Sequence, residues 1–299
     1  MELNINRIIK KTGPGSAAEN VVLAPYMSMK VGGPARYFFE PKSAEDAAFI
    51  LKEITDAGLP YYVIGNGTNI IVRDEGYDGA IIHFKDNFSQ IKTDGNIITA
   101  EAGATLKKIA AAALENSLAG FEFASGIPGS LGGAVTMNAG AYGGEMKDVI
   151  RSVTAMDRDG NIRRFDVSEC DLTYRHSLFS DGKLIVLEAE IKLSPGDKCS
   201  IAALMDDLQK QREDKQPLEY PSCGSVFKRP EGSFAGKLIM DSNLKGARVG
   251  GASVSEKHAG FIINDRNGSA ADVLAVIELV KETVLKEQGV ALECEVKIL

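Results

Sequence analysis

The sequence predicts an α+β protein with more than one hydrophobic core. Strand and helix patterns alternate over the first 85 residues, strand patterns dominate from 86 to 197, and a long amphipathic helix lies among short strands in the last hundred residues. A chain of 299 residues also lies at the size where a single core stops growing, about 250 to 300 residues. We therefore expect three parts: residues 1–85, 86–197 and 198–299.

The first part predicts a strand, a helix and two further strands. RYFFEP reads as a strand, and Ser43, followed by AED and an apolar pattern of helical spacing, predicts a capped helix that ends near Gly58. YYVIG and GAIIHF then read as strands because they are short apolar runs rich in β-branched and aromatic residues. This order predicts a small unit of strands and one helix.

The second part predicts mostly strands. NIITAEAG is followed by a helix over residues 105–115, and VTAMDRDGNIRRF predicts a hairpin because Asp159-Gly160 separates two alternating runs. KLIVLEAEIKL predicts a further strand, and Ser194-Pro195-Gly196 then breaks the pattern. We place the last domain boundary there.

The third part mixes helices with short strands. Helical spacing of apolar residues predicts helices over 200–212 and 270–286, the second closed by Gly289. Short strands are expected around SVFK and GFII, with a final strand over VALECEVKIL.

Composition narrows the function classes. Hydrophobic residues make up 44% and charged residues 25%, which is typical of a globular protein. The formal charge of -7 and the sequence pI near 5.2 argue against a nucleic-acid partner, whose binding requires a basic face. The chain has no apolar run of about 18 residues and its first residues lack the features of a signal peptide. We therefore expect a cytoplasmic protein that does not associate with membranes. We also expect a monomer.

The cysteines and histidines predict no metal site. Cys170, Cys199, Cys223 and Cys294 are far apart in the sequence and form no CxxC pair, so reduced thiols are the simplest interpretation. The three histidines, His83, His176 and His258, form no paired or HExxH pattern.

Two glycine-rich loops are the strongest candidates for a binding site. In YYVIGNGTNIIV a strand pattern follows the glycines, and Ile70 stands where a dinucleotide-binding helix would need its third glycine. This loop could form an anion-binding nest of backbone NH groups, or it could be a plain hairpin. In FASGIPGSLGGAVTMNAGAYGGEM, the density of glycine favours close approach of the backbone to a large cofactor, with tight packing of loops as the alternative.

Several motifs in order resemble the UDP-N-acetylenolpyruvoylglucosamine reductase family. They are GNGTNIIV, SGIPGSLGGAVTMNAGAYGGE, TYRHSLF, GSVFKRP, AGKLIMDSNLKG and LECEVKIL, and they extend over nearly the whole chain. The resemblance implies an FAD-binding fold of the vanillyl-alcohol-oxidase type in two subdomains, plus a C-terminal α+β substrate domain. It also implies noncovalent FAD, NADPH as the reductant and a UDP-sugar substrate, UDP-N-acetylglucosamine enolpyruvate, which is reduced to UDP-N-acetylmuramate for peptidoglycan synthesis.

The resemblance implies three catalytic residues. Arg175 in TYRHSLF matches an arginine that binds the substrate carboxylate, for which its planar fork is suited. Ser225 in GSVFK matches a proton-donating serine, and no His-Asp pair is available to make it a nucleophile. Glu295 matches a third position that would orient or acidify the donor. Spacing alone cannot separate Glu295 from Glu293, because residues two apart share a face of a strand.

Further site residues follow from the same motifs. The expected cofactor-binding residues are Gly65, Asn66, Gly67, Thr68, Asn69, Ser125, Gly126, Gly129, Ser130, Gly132, Gly140 and Tyr142. The expected substrate-binding residues are Tyr174, Lys215, Lys228 and Asn243. No extra tyrosine-bearing loop follows KLIVLEAEIKL, so the chain resembles the shorter type of this reductase.

Two alternatives of other classes remain at this point. One is a flavin oxidase of the same fold superfamily, which would not require Ser225 and could attach its flavin through a histidine such as His83. The other is a nonenzymatic nucleotide-binding module, which would explain the glycine loops but not the arginine, serine and glutamate.

Overall fold

A computed structural model describes residues 2–299 of the chain. The helices are α1 (Ile5–Thr12), α2 (Ala44–Asp56), α3 (Leu106–Glu115), α4 (Leu131–Thr136), α5 (Lys198–Lys215), α6 (Ala235–Asp241) and α7 (Ala270–Gln288). The strands are β1 (Ala17–Val22), β2 (Pro34–Phe39), β3 (Tyr61–Ile64), β4 (Ile70–Ile71), β5 (Tyr77–His83), β6 (Ile91–Asp94), β7 (Ile97–Glu101), β8 (Leu118–Ala119), β9 (Gly140–Ala141), β10 (Gly144–Glu145), β11 (Ile150–Met156), β12 (Ile162–Asp166), β13 (Ile185–Lys192), β14 (Ser194–Pro195), β15 (Ser222–Ser225), β16 (Arg248–Val249), β17 (Ala252–Val254), β18 (Phe261–Asn264) and β19 (Lys297–Ile298).

The chain divides into two compact units, each assembled from segments that are distant in the sequence. The first unit contains the residues up to Asn20 together with Tyr37–Asn66 and Asp78–Gln211. The second unit contains Val21–Arg36, Gly67–Tyr77 and Arg212–Leu299.

Two β-sheets organise the first unit. A four-stranded sheet, mostly within this unit, has the order β1-β2-β5-β3, with β3 and β5 parallel. A five-stranded antiparallel sheet has the order β12-β11-β13-β7-β6. The β11–β12 pair confirms the predicted hairpin, and Gly160 in its turn has a φ of +84°, which favours glycine.

Two buried clusters lie within the first unit. Helix α2 begins as predicted, with the Ser43 hydroxyl accepting a hydrogen bond from the Asp46 NH at 3.1 Å. Its apolar stripe packs with residues of the four-stranded sheet, and the shared cluster includes Phe39, Ile50, Leu51, Ile54 and Ile82. Helix α3 confirms the helix predicted over residues 105–115, with Thr105 as its N-cap, and contributes to the second cluster, which includes Ile98, Ile109, Phe121, Leu131, Val153 and Ile191.

The second unit combines an antiparallel sheet of order β15-β18-β17-β16 with helix α7. The helix begins with a capping box between Ser269 and Asp272, and it ends at Gly289, whose φ of 68° is left-handed. This confirms the predicted helix and both of its boundaries to within two residues. Its buried face includes Val273, Val276, Ile277, Val280 and Val284.

The predicted strand over VALECEVKIL is wrong in most of its length. Only β19 at its end forms a strand, and it pairs in parallel with β4. The preceding residues contribute a single bridge, from Cys294 to Phe227. Leu292 and Val296 are buried, so the alternation in this segment reflects burial against the core without a continuous ladder of hydrogen bonds.

Helix α5 is longer than the predicted 200–212, and α1, α4 and α6 were not predicted. Among the helices of residues 2–299, none combines the length and the apolar character that crossing a bilayer requires.

All four cysteines are free thiols. Burial raises the pKa of the Cys170 and Cys223 thiols to about 11, which keeps both protonated at neutral pH.

Candidate functional site

The two glycine-rich loops meet in the first unit. A Cβ atom on Gly65 would lie 2.0 Å from the hydroxyl oxygen of Ser130, so a larger residue at this position would require Ser130 or the loop backbone to shift. The side-chain amide of Asn66 donates a hydrogen bond to the carbonyl of Pro128 at 2.9 Å. These contacts show that the two loops pack tightly on each other through backbone and small side chains.

The first loop is not a hairpin, because its flanking strands have different partners. β3 pairs with β5, whereas β4 pairs with β19. Behind the loop, His83 is buried with its Nδ1 atom 2.8 Å from the carboxylate of Glu40, and it also hydrogen-bonds the backbone of Gly65. Burial is the main cause that lowers the pKa of His83, against the opposing effect of Glu40. His83 therefore supports the backbone at the start of this loop.

The second loop is tied to the segment between β7 and α3. The NH of Gly132 donates to the carbonyl of Ala102 at 2.9 Å, and a Cβ atom on Gly132 would lie 3.0 Å from the Cβ atom of Ala102. The carbonyl of Gly129 accepts from the NH of Leu106 at 3.1 Å. The hydroxyl of Ser125 donates to the carbonyl of Glu122 at 2.8 Å. These bonds fix the loop against the core of the first unit.

The β9–β10 hairpin ends this glycine-rich stretch. A Cβ atom on Gly140 would lie 2.7 Å from the Cγ atom of Glu145, and one on Gly144 would lie 2.7 Å from the ring of Phe123. Tyr142 at the tip is 40% exposed and has a φ of 53°, a conformation that non-glycine residues seldom adopt. Gly143, the other central residue of this two-residue turn, has a φ of 88°, and positive φ at both central positions is what the tightest hairpin turns require.

Arg175 lies on a tight turn of the first unit. Its guanidinium carbon is 5.4 Å from the centre of the Tyr174 ring, and Tyr174 is 52% exposed. The φ of Arg175 is 55°, so this residue also has the left-handed conformation.

Ser225 and the Glu295 segment belong to the second unit, where their backbones are adjacent. The NH of Glu295 donates to the carbonyl of Val226 at 2.8 Å. Ser225 is exposed at the end of β15, after a register irregularity in which Gly224 has a φ of +72°. The predicted proton donor and the predicted carboxylate are thus carried by neighbouring segments.

The second half of the first loop packs in this same unit. A Cβ atom on Gly67 would lie 2.3 Å from the carbonyl oxygen of Tyr26, and the carbonyl of Gly67 accepts from the NH and hydroxyl of Ser28, each at 3.1 Å. The side-chain amide of Asn69 donates to the carbonyl of Glu295 at 3.2 Å. The loop therefore also supports the backbone of a predicted catalytic residue.

The structure distinguishes the two neighbouring carboxylates that spacing could not. Glu293 is exposed and forms an ion pair with Lys228. Glu295 is half-buried.

Lys215 is exposed at the end of α5, and Asn243 is exposed just after α6 with a φ of 54°. Of the two predicted lysines, Lys228 is therefore already neutralised by a carboxylate.

Sequence reasoning missed one buried polar residue of this region, Asn138. It lies within the second glycine-rich stretch and is 1% exposed, with side-chain hydrogen bonds to three other residues, Glu145, Lys147 and Thr173. An asparagine among small and apolar residues was the available signal, because a buried amide needs hydrogen-bond partners.

Two family models match the chain. An FAD-binding domain model matches residues 35–166. The model described as "UDP-N-acetylenolpyruvoylglucosamine reductase, C-terminal domain" matches residues 216–299.

Similar proteins and structures agree with these matches. UDP-N-acetylenolpyruvoylglucosamine reductase of Clostridium perfringens (strain SM101 / Type A) is 50% identical over 93% of this chain and 91% of its own length. The Geobacillus kaustophilus protein of the same name is 47% identical over 98% and 96%. A crystal structure of the Thermus caldophilus reductase has a TM-score of 0.80 at 34% identity and covers 93% of this chain and 97% of its own.

A more distant structure shows the fold alone. Phl p 4, a grass pollen allergen with glucose dehydrogenase activity, has a TM-score of 0.51 at 15% identity, over 64% of this chain and 44% of its own. Together with the FAD-binding model, the Thermus caldophilus structure confirms the predicted α+β, FAD-binding fold with a C-terminal domain.

Proposed function

This chain belongs to the UDP-N-acetylenolpyruvoylglucosamine reductase family, and we propose that it reduces UDP-N-acetylglucosamine enolpyruvate to UDP-N-acetylmuramate with NADPH as the reductant. The product serves peptidoglycan precursor synthesis. The observation that carries the proposal is the 50% identity over 93% of the chain, with both family models in the expected order.

The glycine-rich loops are suited to FAD. A Cβ atom on Gly65, Gly132 or Gly140 would lie 2.0, 3.0 or 2.7 Å from a neighbouring protein atom, so these backbones pack at close range and hold the loops in one conformation. When bound, FAD would supply the chemistry of hydride transfer from NADPH to the enolpyruvyl double bond. The residues that we propose hold it are Gly65, Asn66, Gly67, Thr68, Asn69, Ser125, Gly126, Gly129, Ser130, Gly132, Gly140 and Tyr142.

We propose that the FAD is noncovalent. Covalent attachment through His83 is disfavoured because this side chain is buried and its Nδ1 atom is engaged with Glu40.

Arg175 is the proposed ligand of the substrate carboxylate. Hydride addition to the β carbon of an enol ether conjugated to a carboxylate leaves negative charge on the α carbon and the carboxylate. A guanidinium offers two parallel N–H donors to such a group and stabilises the charge as it develops. The left-handed backbone of Arg175 supports this role, because such strain is commonest at functional positions.

Ser225 is the proposed proton donor to the α carbon, and Glu295 is proposed to orient or acidify it. A serine hydroxyl is a poor acid, so it needs a polarising neighbour. The hydrogen bond from the Glu295 NH to the Val226 carbonyl supports this pairing, since it holds the two segments together.

For the remaining substrate contacts we propose Tyr174, Lys215, Lys228 and Asn243. Lys215 has the better support as a diphosphate ligand, because Lys228 would first have to leave Glu293.

We also propose a cytoplasmic monomer whose parts 1–85 and 86–197 hold the flavin and whose part 198–299 holds the substrate. A flavin oxidase and a nonenzymatic nucleotide-binding module are less favoured, because the curated relatives are named as reductases.

The test measures flavin reduction and flavin reoxidation separately in the Ser225→Ala variant. NADPH should reduce the bound flavin at nearly the original rate, while reoxidation by the enolpyruvyl nucleotide slows by about 10² to 10⁴, the usual range for general acid catalysis. Stopped-flow flavin absorbance reports both steps. Ser222→Ala is the matched control on the same strand, and it should leave both rates within a few fold.

Equal slowing of both steps in Ser225→Ala would mean that Ser225 supports the flavin or the fold, and its role as acid would have to be withdrawn. Failure of the wild-type protein to oxidise NADPH with the enolpyruvyl nucleotide would refute the proposed function as a whole.

A further inference from the structure

The turn that carries Arg175 requires support from the surrounding structure. Thr173 and His176 exchange two backbone hydrogen bonds, at 3.1 and 3.2 Å, and Arg175 is the third residue of this turn with a φ of 55°. The left-handed conformation is sterically unfavourable for a non-glycine residue, because its Cβ atom approaches the backbone. Such a conformation persists only when its neighbours hold it in place.

The buried side chain of Asn138 links this turn to the β9–β10 hairpin. Its Nδ2 atom donates to the carbonyl of Thr173 at 3.0 Å and to the carboxylate of Glu145 at 2.9 Å. Its Oδ1 atom accepts from the NH of Lys147 at 2.9 Å. A carboxamide supplies two donors and one acceptor from one planar group, which neither aspartate nor serine reproduces.

Glu145 adds an electrostatic link between this network and Arg175. The pKa of Glu145 is lowered chiefly by its hydrogen bond to Lys147, with Asn138 and the charge of Arg175 contributing in the same direction. Asn138 therefore anchors both the backbone of the turn and a carboxylate that attracts the Arg175 guanidinium.

We infer that Asn138 is a positioning residue for Arg175. Asn138 fixes the turn so that the guanidinium is oriented to bind the carboxylate of the substrate. Asn138 therefore affects the affinity for the substrate and not the binding or reduction of the flavin. The inference rests on the proposed role of Arg175. Small displacements of a binding group, of about 1 Å, are enough to reduce activity by roughly 10².

The test uses Asn138→Asp in the FAD-loaded protein. The substitution keeps the side-chain size but places an oxygen opposite the Thr173 carbonyl and the Glu145 carboxylate, so both hydrogen bonds are lost. We expect the dissociation constant for the enolpyruvyl nucleotide, measured by titration calorimetry, to rise by roughly 10- to 100-fold, as for loss of a charge-assisted hydrogen bond. FAD content and the rate of flavin reduction by NADPH should not change.

Asn116→Asp is the matched control. Asn116 caps the end of α3, and its amide donates to the nearby carbonyl of Ala112 at 2.8 Å. We expect nucleotide affinity in this variant to equal that of the wild type. If Asn138→Asp does not fold, Asn138→Ser, which is smaller and leaves room for water, takes its place in every comparison, whereas a folded variant that has lost FAD counts against the inference.

A double-mutant cycle with Arg175→Lys distinguishes positioning from general support of the fold. If Asn138 acts through Arg175, adding Asn138→Asp to Arg175→Lys should weaken nucleotide binding by no more than about 3-fold beyond Arg175→Lys alone. Fully additive losses, or loss of FAD from Asn138→Asp, would overturn the inference while leaving Arg175 in its role. An Arg175→Lys variant with wild-type affinity would instead remove the proposed role of Arg175, and the inference with it.

Discussion

Gly65→Ala should weaken FAD binding through a steric clash at one identified atom. The added Cβ would lie 2.0 Å from the Ser130 hydroxyl oxygen and 3.0 Å from the Ser130 Cβ atom. Ordinary contacts between such atoms are near 3.5 Å, so either Ser130 or the Gly65 backbone must shift. Gly65 lacks the positive φ that many glycines of the chain have, so the substitution tests space rather than backbone strain.

The expected magnitude follows from the cost of overpacking, about 1 to 3 kcal/mol. If relieving the clash displaces the loop from its flavin-binding geometry, this corresponds to a dissociation constant for FAD roughly 5- to 150-fold higher. The assay is fluorescence titration of the apoprotein with FAD, because flavin emission changes on binding.

Two variants make this prediction specific. Ser130→Ala in the Gly65→Ala background removes the clashing oxygen. Because Ser130 is itself a proposed FAD ligand, the double variant should recover to the affinity of Ser130→Ala alone. Gly133→Ala is the matched control from the same glycine-rich stretch, since its Cβ would lie 3.7 Å from the Ser130 hydroxyl, an ordinary contact. Wild-type affinity in Gly65→Ala, or no recovery in the double variant, would refute the assignment of the two loops to one cradle.

Two further predictions concern titratable side chains. Glu295→Gln should slow flavin reoxidation by the enolpyruvyl nucleotide by at least about 10-fold, because a polarising carboxylate is lost, and should leave flavin reduction by NADPH unchanged. The control Glu293→Gln removes an exposed ion pair and should change neither rate. Equal effects of the two substitutions would contradict the role assigned to Glu295. Burial lowers the pKa of His83 in the folded state, whereas in the unfolded chain this histidine has the ordinary pKa of about 6.5. The unfolded state therefore binds more protons in this pH range, and the free energy of unfolding should fall as the pH drops from about 7 to 5. Urea unfolding at several pH values should show a shallower fall in His83→Gln, whereas the exposed control His176→Gln should follow the wild type; an unchanged slope in His83→Gln would exclude this source of acid sensitivity.

Local chemistry made parts of the site predictable from the sequence. The two loops stand out in the sequence by their local glycine content, and the motif around Arg175 is recognisable from its amino-acid sequence. The role of Asn138 was not predictable, because its partners at Thr173 and Glu145 are brought to it by the turn and the hairpin. Likewise, no spacing rule shows that Ser130 stands opposite Gly65, 65 residues earlier in the chain.

The sequence alone determined the secondary structure wherever a local rule controls it. The caps of α2 and α7, the turn at Asp159-Gly160 and the helical spacing of apolar residues act within a few residues, so they can be read directly. Tertiary structure decided where hydrogen bonds between distant segments form. The segment before β19 has an alternating pattern, but a strand needs a partner backbone, and only β4 supplies one, at its last residues. The same physical reason separates Glu293 from Glu295: their spacing is equivalent, and only the folded chain brings Lys228 to one and buries part of the other.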